Sequence, residues 1–363
     1  MKKFCILLVL FVVFAGCKKE DVIKIGIAGP LTGDQAKIGY DLLNGVTLAV
    51  DEWNEKGGVL GKKIVVIRGD DRRDPREAVS VANKMVNEGV IGVIGHFNSS
   101  CSIPASRIYN EAGIIQITPA STNPKLTEQG FHNIFRICGR DDQQGSIGAK
   151  FVIDSLRKTR IAVLHDKTTY GQGLADEFKK NVGSMAKIVA YEGLVQGEND
   201  YTAIVTKIKQ LSPEVVYFGG IYPEAGLLIK QMREMGLEAI FIAGDGVIDP
   251  EFIKIGGKAT EGSYMTFSPS AKESPCAKQF IDKYTARYGD VGPYSTYSYD
   301  AVNILLKAIK EAGSVDEKKI ADIIHGTKYS EAIGDVEFDE KGDRNVSPYI
   351  LWVVKEGVFI PLQ

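Results

Sequence analysis

Short apolar segments alternate with longer helical patterns along almost the whole chain, and this alternation is what most constrains the fold. The apolar segments fall into two rounds, separated by a polar break at residues 140–144: 23–28, 64–67, 90–94 and 114–117, then 161–164, 188–191, 215–218 and 240–243. Continuous apolar segments of this length, separated by helices, are typical of parallel strands buried on both faces. The pattern predicts an α/β fold with two doubly wound parallel-sheet domains.

The last ninety or so residues depart from this alternation. Helical patterns at 276–288 and 296–312 precede two terminal strands, predicted near 336–338 and 349–354. We expect a tail that returns to the two earlier domains.

Two hydroxyl-rich turns follow neighbouring strands, at residues 95–100 and 118–122. The segment between them predicts a helix over 102–112, with Pro104 in its first turn, where the missing N–H costs nothing. Ligands of open α/β sheets bind at the carboxyl ends of strands, and helix N-termini favour anions. The turns therefore predict a site for a small carboxylate. The alternative is that Ser and Thr serve only as caps and turn formers.

The N-terminus predicts export. Lys2 and Lys3 precede an apolar stretch over 4–14 that is too short to span a bilayer. The stretch ends in Phe14-Ala15-Gly16-Cys17, which looks like a bacterial lipobox. We expect a signal peptide at 1–16, an acylated Cys17 and a tether at 17–21. The mature protein would then be anchored by its lipid to the outside of the cytoplasmic membrane, or would lie in the periplasm or outer membrane. A secretory signal with a chance Cys is the alternative.

Composition argues against several classes of function. The 44 basic and 46 acidic residues are balanced, and no basic stripe indicates nucleic-acid binding. The four histidines, and the cysteines at 101, 138 and 276, lack metal or redox spacing, and whether any cysteines pair stays open. No dinucleotide or nucleophile-elbow motif is present. We predict no cofactor, no metal and no catalytic residue, and we interpret the 70–74 cluster of Asp and Arg as a self-neutralising loop.

From Ile23 onward the chain resembles the periplasmic leucine/isoleucine/valine-binding protein family, the solute receptors of branched-chain amino acid ABC transporters. The resemblance rests on linked segments whose order and spacing cover nearly the whole mature chain: Val93-Ile94-Gly95-His96 with Ser99, Ile117-Thr118-Pro119-Ala120 with Thr122, His165-Asp166-Lys167 with Tyr170-Gly171, Gly219-Gly220 with Pro223-Glu224, Gly244-Asp245-Gly246 and Asp339-Glu340-Lys341-Gly342-Asp343.

This resemblance implies the type I periplasmic-binding-protein fold, with two lobes joined by three hinge crossovers. The crossovers fall near Arg140, Ser268 and Val346. Lobe 1 would comprise 22–140 and 269–346, and lobe 2 would comprise 141–268 and 347–363.

The resemblance also assigns a site for a zwitterion, whose buried charges need hydrogen bonds or counter-charges. In lobe 1, Ser99 and Thr122 would bind the carboxylate, while Thr122 and the Ala120 carbonyl accept from the ammonium. In lobe 2, Asp245 would face the ammonium and Tyr170 would close over the ligand. Asp245 stands where the leucine-binding relatives have the longer Glu.

Departures from the family concern mainly the side-chain pocket. Ile221 replaces a Tyr whose contact uses the backbone N–H, and Ile38 replaces an aromatic near the mouth of the cleft. The pocket would be completed by Phe97 and Tyr294. Arg73 and Asn98 stand where relatives carry a disulfide, so that bond is absent.

The expected function is capture of an aliphatic L-amino acid, for delivery to an ABC permease driven by separate ATPase subunits. We expect a monomer bound to the membrane through its N-terminal lipid. A sensor of the same fold is one alternative. A receptor for another amino acid, an amide or an aromatic carboxylate is another, although Asp245 favours a ligand with an amine.

Overall fold

The computed structural model describes residues 21–346 and 349–362. The predicted signal peptide and Cys17 lie outside the described residues. Within those residues, no helix combines the length and the apolar character needed to cross a bilayer.

One lobe is built on a five-stranded parallel sheet with strand order β2-β1-β3-β4-β5. Its strands are β1 (Ile23–Gly29), β2 (Ile64–Asp70), β3 (Gly92–Gly95), β4 (Ile115–Thr118) and β5 (Ile134–Arg136). The helices that connect them are α1 (Ala36–Glu55), α2 (Pro75–Glu88) and α3 (Ser99–Glu111). Strands β3 and β4 are buried at every position, which explains why most of their residues are small or apolar.

The other lobe contains a seven-stranded sheet with order β14-β13-β10-β9-β8-β6-β7. Its strands are β6 (Arg160–His165), β7 (Lys187–Gly193), β8 (Val215–Gly219), β9 (Ile240–Ala243), β10 (Tyr264–Phe267), β13 (Ile350–Lys355) and β14 (Val358–Pro361). The helices of this lobe are α4 (Asp141–Lys150), α5 (Thr169–Val182), α6 (Thr202–Gln210), α7 (Tyr222–Glu234) and α8 (Pro250–Gly256). Strands β6 to β10 are parallel, whereas β13 and β14 add to the edge as an antiparallel pair.

The segment between β10 and β13 returns to the first lobe. It forms α9 (Lys278–Tyr288), α10 (Ser295–Ala312), α11 (Glu317–Gly326) and the small hairpin of β11 (Tyr329–Glu331) and β12 (Gly334–Val336). Helix α10 packs against α1 and is almost entirely buried. The chain therefore passes between the lobes three times, as the family resemblance implies, and the predicted fold class is confirmed.

Two local predictions were wrong. Helix α3 begins at Ser99, not Ser102, because the Asn98 carbonyl already accepts from the amides of Cys101 and Ser102, each at 2.9 Å. Pro104 consequently lies inside the helix rather than in its first turn.

The predicted polar break at 140–144 contains the start of α4. The Gln143 side chain accepts from the Arg140 amide at 3.1 Å, and two acidic residues in the first turn complement the helix dipole. The polar residues that suggested a break are therefore those that start a helix.

Candidate functional site

A cavity lies between the carboxyl ends of the two sheets. Residues of both lobes line it: Phe97, Asn98, Ser99, Ala120, Tyr170, Ile221, Asp245, Gly246 and Tyr294. The structure thus brings together seven of the nine residues that the sequence predicted for the ligand site. The other two do not line the cavity. Thr122 is buried, and Ile38 is buried in the hydrophobic core cluster.

The N-terminus of α3 forms one end of the cavity. Ser99 is the first residue of this helix, and the first N–H groups of a helix have no partner within it. The Ser99 hydroxyl accepts from the Asn123 amide at 3.3 Å, so its own hydrogen is available to a ligand. Free amides, a hydroxyl and the positive end of a helix dipole together suit a carboxylate.

The turn after β4 adds polar groups beside this helix. Thr118 Oγ1 accepts from the amides of Ala120 at 3.3 Å and Ser121 at 2.9 Å, which fixes the turn. Thr122 Oγ1 is buried and has no hydrogen-bond partner among the described residues. A buried hydroxyl without such a partner is energetically costly.

Asp245 provides the negative charge at the opposite wall. Its carboxylate accepts from the Tyr170 hydroxyl at 2.8 Å and from the Tyr349 hydroxyl at 3.4 Å. Only 3% of the residue is exposed, and burial raises the pKa of its carboxyl to about 6 although the Tyr170 hydrogen bond opposes that shift. Near neutral pH the cavity therefore presents one ionised carboxylate to a cationic group.

The phenols around Asp245 also position it. The Tyr170 hydroxyl accepts from the Gly246 amide at 3.0 Å, and Tyr294, which belongs to the returning segment, donates to the Asp245 carbonyl at 3.1 Å. Burial holds the pKa of Tyr170 and of Tyr294 well above the ordinary value, so both phenols remain donors.

Apolar side chains form the remaining walls. The rings of Phe97 and Tyr294 meet edge to face with centroids 5.2 Å apart, and Ile221 faces them from the second lobe. Ile38 is 1% exposed and belongs to the same hydrophobic core cluster, but it does not line the cavity.

Sequence reasoning missed residues contributed by the crossovers. Asp141 and Gln144 lie three apart on α4, and Gln144 Oε1 accepts from the Asp245 amide at 3.0 Å. The Asp141 amide donates to the Thr122 carbonyl at 3.0 Å. Burial, reinforced by the nearby charge of Asp245, raises the pKa of the Asp141 carboxyl well above its ordinary value. The i, i+3 spacing of Asp141 and Gln144 within the predicted break at 140–144 is the sequence feature from which both residues could have been identified.

Contacts between the lobes show that the cleft is closed. Arg73 of lobe 1 pairs with Glu224 of lobe 2 at 3.3 Å, and Lys37 pairs with Asp249 at 2.9 Å. The interpretation of residues 70–74 as a self-neutralising loop was therefore incomplete, because Arg73 reaches outside the loop.

Two uncharged hydrogen bonds also join the lobes. The Tyr222 hydroxyl donates to the Asp34 carbonyl at 2.7 Å, and Asn123 Nδ2 donates to the Thr169 carbonyl at 2.8 Å.

Metal and disulfide chemistry find no support in the described part of the chain. Residues 21–346 and 349–362 contain no group of three or more His, Cys, Asp or Glu side chains placed to hold a metal ion. Cys101 and Cys138 are buried and unpaired, and Cys276 is exposed and unpaired, in the same residues.

Comparisons with known proteins agree with this architecture. The sequence profile of the family described as periplasmic binding protein matches residues 22–358. A Leu/Ile/Val-binding protein homolog 1 of Brucella suis is 43% identical over 348 residues, which cover 95% of this chain and 94% of that protein. A leucine-, isoleucine-, valine-, threonine- and alanine-binding protein of Pseudomonas aeruginosa is 40% identical, covering 89% of this chain and 87% of its own length.

Solved structures give the same result. The leucine-binding protein LivK of Thermotoga maritima aligns with a TM-score of 0.88 and 32% identity, covering 94% of this chain and 98% of that one. The branched-chain amino acid binding protein LivJ of Streptococcus pneumoniae, solved with isoleucine, aligns with a TM-score of 0.85 and 28% identity, covering 94% and 100%.

Proposed function

Because this chain belongs to the periplasmic binding protein family, we propose that it captures an aliphatic, branched-chain L-amino acid in the cleft between its lobes and delivers it to an ABC permease. One observation carries the proposal. A single closed cavity offers donors at one end, a buried carboxylate at the other and apolar walls between them. The protein would act by binding and release, without catalysing a reaction.

The ligand carboxylate would bind at the N-terminus of α3. The Ser99 hydroxyl and the free helix amides supply donors there, and the Thr122 amide adds another. Opposite-charge attraction at a helix N-terminus contributes about 0.3–1 kcal/mol at exposed positions and more in partly buried ones.

The ligand ammonium would face Asp245. Further acceptors lie in lobe 1, at the Ala120 carbonyl and at the Thr122 hydroxyl, whose partner is missing among the described residues. With Asp245 and one of these acceptors bound to it, the buried ammonium is both neutralised and hydrogen-bonded.

The ligand side chain would occupy the apolar part of the cavity, between Phe97, Tyr294 and Ile221. Such walls distinguish one methylene by only about 1–3 kcal/mol. We therefore propose a receptor that accepts several aliphatic amino acids.

Closure would complete the site. In our proposal lobe 1, residues 22–140 and 269–346, binds the head group first. Lobe 2, residues 141–268 and 347–363, then brings Tyr170, Ile221 and Asp245 onto it. The closed monomer would dock on the permease, and ATP hydrolysis by separate subunits would drive release.

We also propose that the protein is a lipoprotein. Cleavage after Gly16 would leave Cys17 as the acylated N-terminus, with residues 17–21 as a tether outside the cytoplasmic membrane. Labelling of the full chain with an alkyne fatty acid tests this proposal. Incorporation lost in Cys17→Ser is expected, and equal labelling of both proteins would contradict it.

Calorimetric titration of the ligand-stripped protein with L-leucine, L-isoleucine and L-valine tests the function. We expect saturable binding, and Asp245→Asn should weaken it by about 2–5 kcal/mol, because the ammonium then lacks its counter-charge. Benzoate and acetamide serve as amine-free controls. Binding of those two compounds alone would refute the assignment of Asp245.

A further inference from the structure

A fully buried arginine lies next to the turn that carries Thr122. Arg136 is the last residue of β5 and is 0% exposed, yet it does not line the cavity. A charged side chain buried to this extent is costly unless ion pairs and hydrogen bonds compensate for the lost water. The partners of Arg136 therefore show what the buried charge holds in place.

Arg136 binds the turn on both sides of Thr122. Its Nη1 donates to the Ser121 carbonyl at 2.9 Å and to the Asn123 carbonyl at 2.8 Å. The Thr122 carbonyl between them accepts from the Asp141 amide, the first of helix α4, at 3.0 Å. Three successive carbonyls of the turn are thus fixed, by one side chain of the first lobe and by one helix amide of the second.

Asp343 and Thr127 hold the guanidinium of Arg136. Nε donates to Asp343 Oδ1 at 2.7 Å, and Nη2 donates to Thr127 Oγ1 at 2.6 Å. The Thr127 hydroxyl in turn donates to the Asp343 carboxylate at 2.9 Å, so the three side chains form a closed ring of hydrogen bonds. Burial alone would raise the pKa of Asp343, but the charge of Arg136 and the hydrogen bonds from Arg140 and Arg136 hold that pKa below its ordinary value. The carboxylate of the ring is therefore ionised at neutral pH.

The same residues join two of the chain's three passages between the lobes. Arg136 ends β5, from which the chain continues to α4 of the second lobe, and Asp343 lies between β12 and β13. The Arg136 amide donates to the Gly342 carbonyl at 2.8 Å, and the Arg344 amide donates to the Arg136 carbonyl at 3.2 Å. The turn that carries Thr122 is therefore connected through Arg136 to both of these hinge segments.

We propose that Arg136, held by Asp343 and Thr127, is a positioning residue for the ligand, which fixes the turn carrying Thr122 to two hinge segments so that the turn keeps its ligand-binding form. The proposal rests on the proposed function, because that function assigns the turn to the ligand head group. Groups that act on a site without touching the ligand change its affinity by about 2–30-fold. A network that served stability alone would leave the affinity of the folded protein unchanged.

Thr127→Val tests this role with little change of shape. It removes the hydroxyl that accepts from Arg136 and donates to Asp343, whereas Thr127→Ser retains that hydroxyl. We expect calorimetric titration with L-leucine to give a Kd about tenfold weaker for Thr127→Val than for the wild-type protein. The Kd of Thr127→Ser should stay within about twofold of the wild-type value, since its hydroxyl can make the same bonds.

Thr260→Val is the matched control. Thr260 is 1% exposed, does not line the cavity, and donates its hydroxyl to the Gly257 carbonyl at 2.8 Å within the second lobe. Thermal melting of the ligand-free proteins should show lower stability for both valine variants, because each loses a buried hydrogen bond. Only Thr127→Val should also lose affinity. If Thr127→Val does not fold, Asp343→Asn, which keeps the size of the side chain but removes its charge, should weaken leucine binding at least as much.

A second substitution shows whether the effect passes through the turn. Thr122→Ala removes the hydroxyl assigned to the ligand ammonium. In the double variant Thr122→Ala/Thr127→Val the two losses of affinity should be less than additive, because a displaced turn and a missing hydroxyl weaken the same ligand contact.

Three results would overturn the inference. They are an unchanged leucine Kd in the folded Thr127→Val or Asp343→Asn variant, a loss in Thr127→Ser as large as in Thr127→Val, and fully additive losses in the double variant. Failure of the wild-type protein to bind leucine, isoleucine and valine alike would instead overturn the proposed function, and the role of Arg136 with it.

Discussion

Asp245 is buried, and the groups around it decide when its carboxyl is charged. Three phenols face it, from Tyr170, Tyr294 and Tyr349, and burial raises the pKa of each well above its ordinary value. Asp141 is the other carboxyl nearby, and burial together with the charge of Asp245 raises its pKa well above the ordinary value. Asp245 is therefore the group whose titration should control binding.

Ligand affinity should fall as the pH drops below about 6, where the Asp245 carboxyl takes up a proton. A protonated carboxyl cannot neutralise the ammonium, so binding must expel the proton. We expect leucine to bind about tenfold more weakly at pH 5 than at pH 7.5. Titrations across this range test the expectation, with Asp245→Asn as a control that should show weak, nearly pH-independent binding. A flat profile for the wild-type protein would contradict it.

The same carboxyl opposes folding at neutral pH. Burial raises its pKa in the folded protein above the ordinary value of 3.8, so the folded state binds this proton more tightly than the unfolded chain. The contribution to stability is therefore favourable at low pH and is lost as the pH rises from about 4 to about 6. This cost is consistent with a residue placed for binding rather than for stability.

Helix α4 connects the crossover to the site. It starts directly after Arg140, places Gln144 Oε1 against the Asp245 amide, and packs against α5. Helices α4 and α5 approach each other closely at Gly145, where an added Cβ would lie 2.7 Å from the backbone of Glu177 and Phe178. Both the site and the helix packing therefore depend on this short segment.

Gly145→Ala should destabilise the protein by about 1–3 kcal/mol, because backbone atoms must move to admit the methyl group. Thermal melting measures the effect. Gly326→Ala is the matched control, since an added Cβ there meets nothing within 4 Å. An unchanged melting temperature for Gly145→Ala would show that α4 and α5 separate at little cost.

Ion pairs join the two lobes of the molecule, Arg73 with Glu224 and Lys37 with Asp249. Glu224 is 1% exposed and accepts from both Arg73 and the Gly197 amide, the latter at 3.0 Å. An ion pair that forms only when the lobes meet stabilises the closed state and therefore raises affinity without touching the ligand.

Glu224→Gln and Arg73→Gln should each weaken leucine binding about tenfold or more, mainly through faster dissociation. The double variant should be less than additive, because either substitution alone breaks the pair. Stopped-flow dissociation and titration measure these effects. Lys180→Gln, which removes an exposed pair within one lobe, is the control. Additive effects of the two substitutions would argue against a contribution of the Arg73–Glu224 ion pair to the closed state.

Much of the fold was predictable from local pattern. The apolar segments 161–164 and 215–218 correspond to β6 and β8, and the family and fold class are confirmed. The assignment of Ser99, Ala120, Thr122 and Asp245 to ligand contacts came from the resemblance and stays a prediction. The structure adds that Ser99, Ala120 and Asp245 line one cavity, while Thr122 is buried without lining it.

The sequence by itself determined what depends on neighbours along the chain: the strand and helix alternation and the hydroxyl-rich turns at strand ends. Tertiary structure decided what depends on residues far apart in sequence. It placed Tyr294 and Tyr349 on Asp245, turned Gln35 toward Asn98, and sent Arg73 across the cleft to Glu224. The physical reason is that periodicity records which face of an element is buried, whereas a site between two lobes is set by how three crossovers bring those faces together.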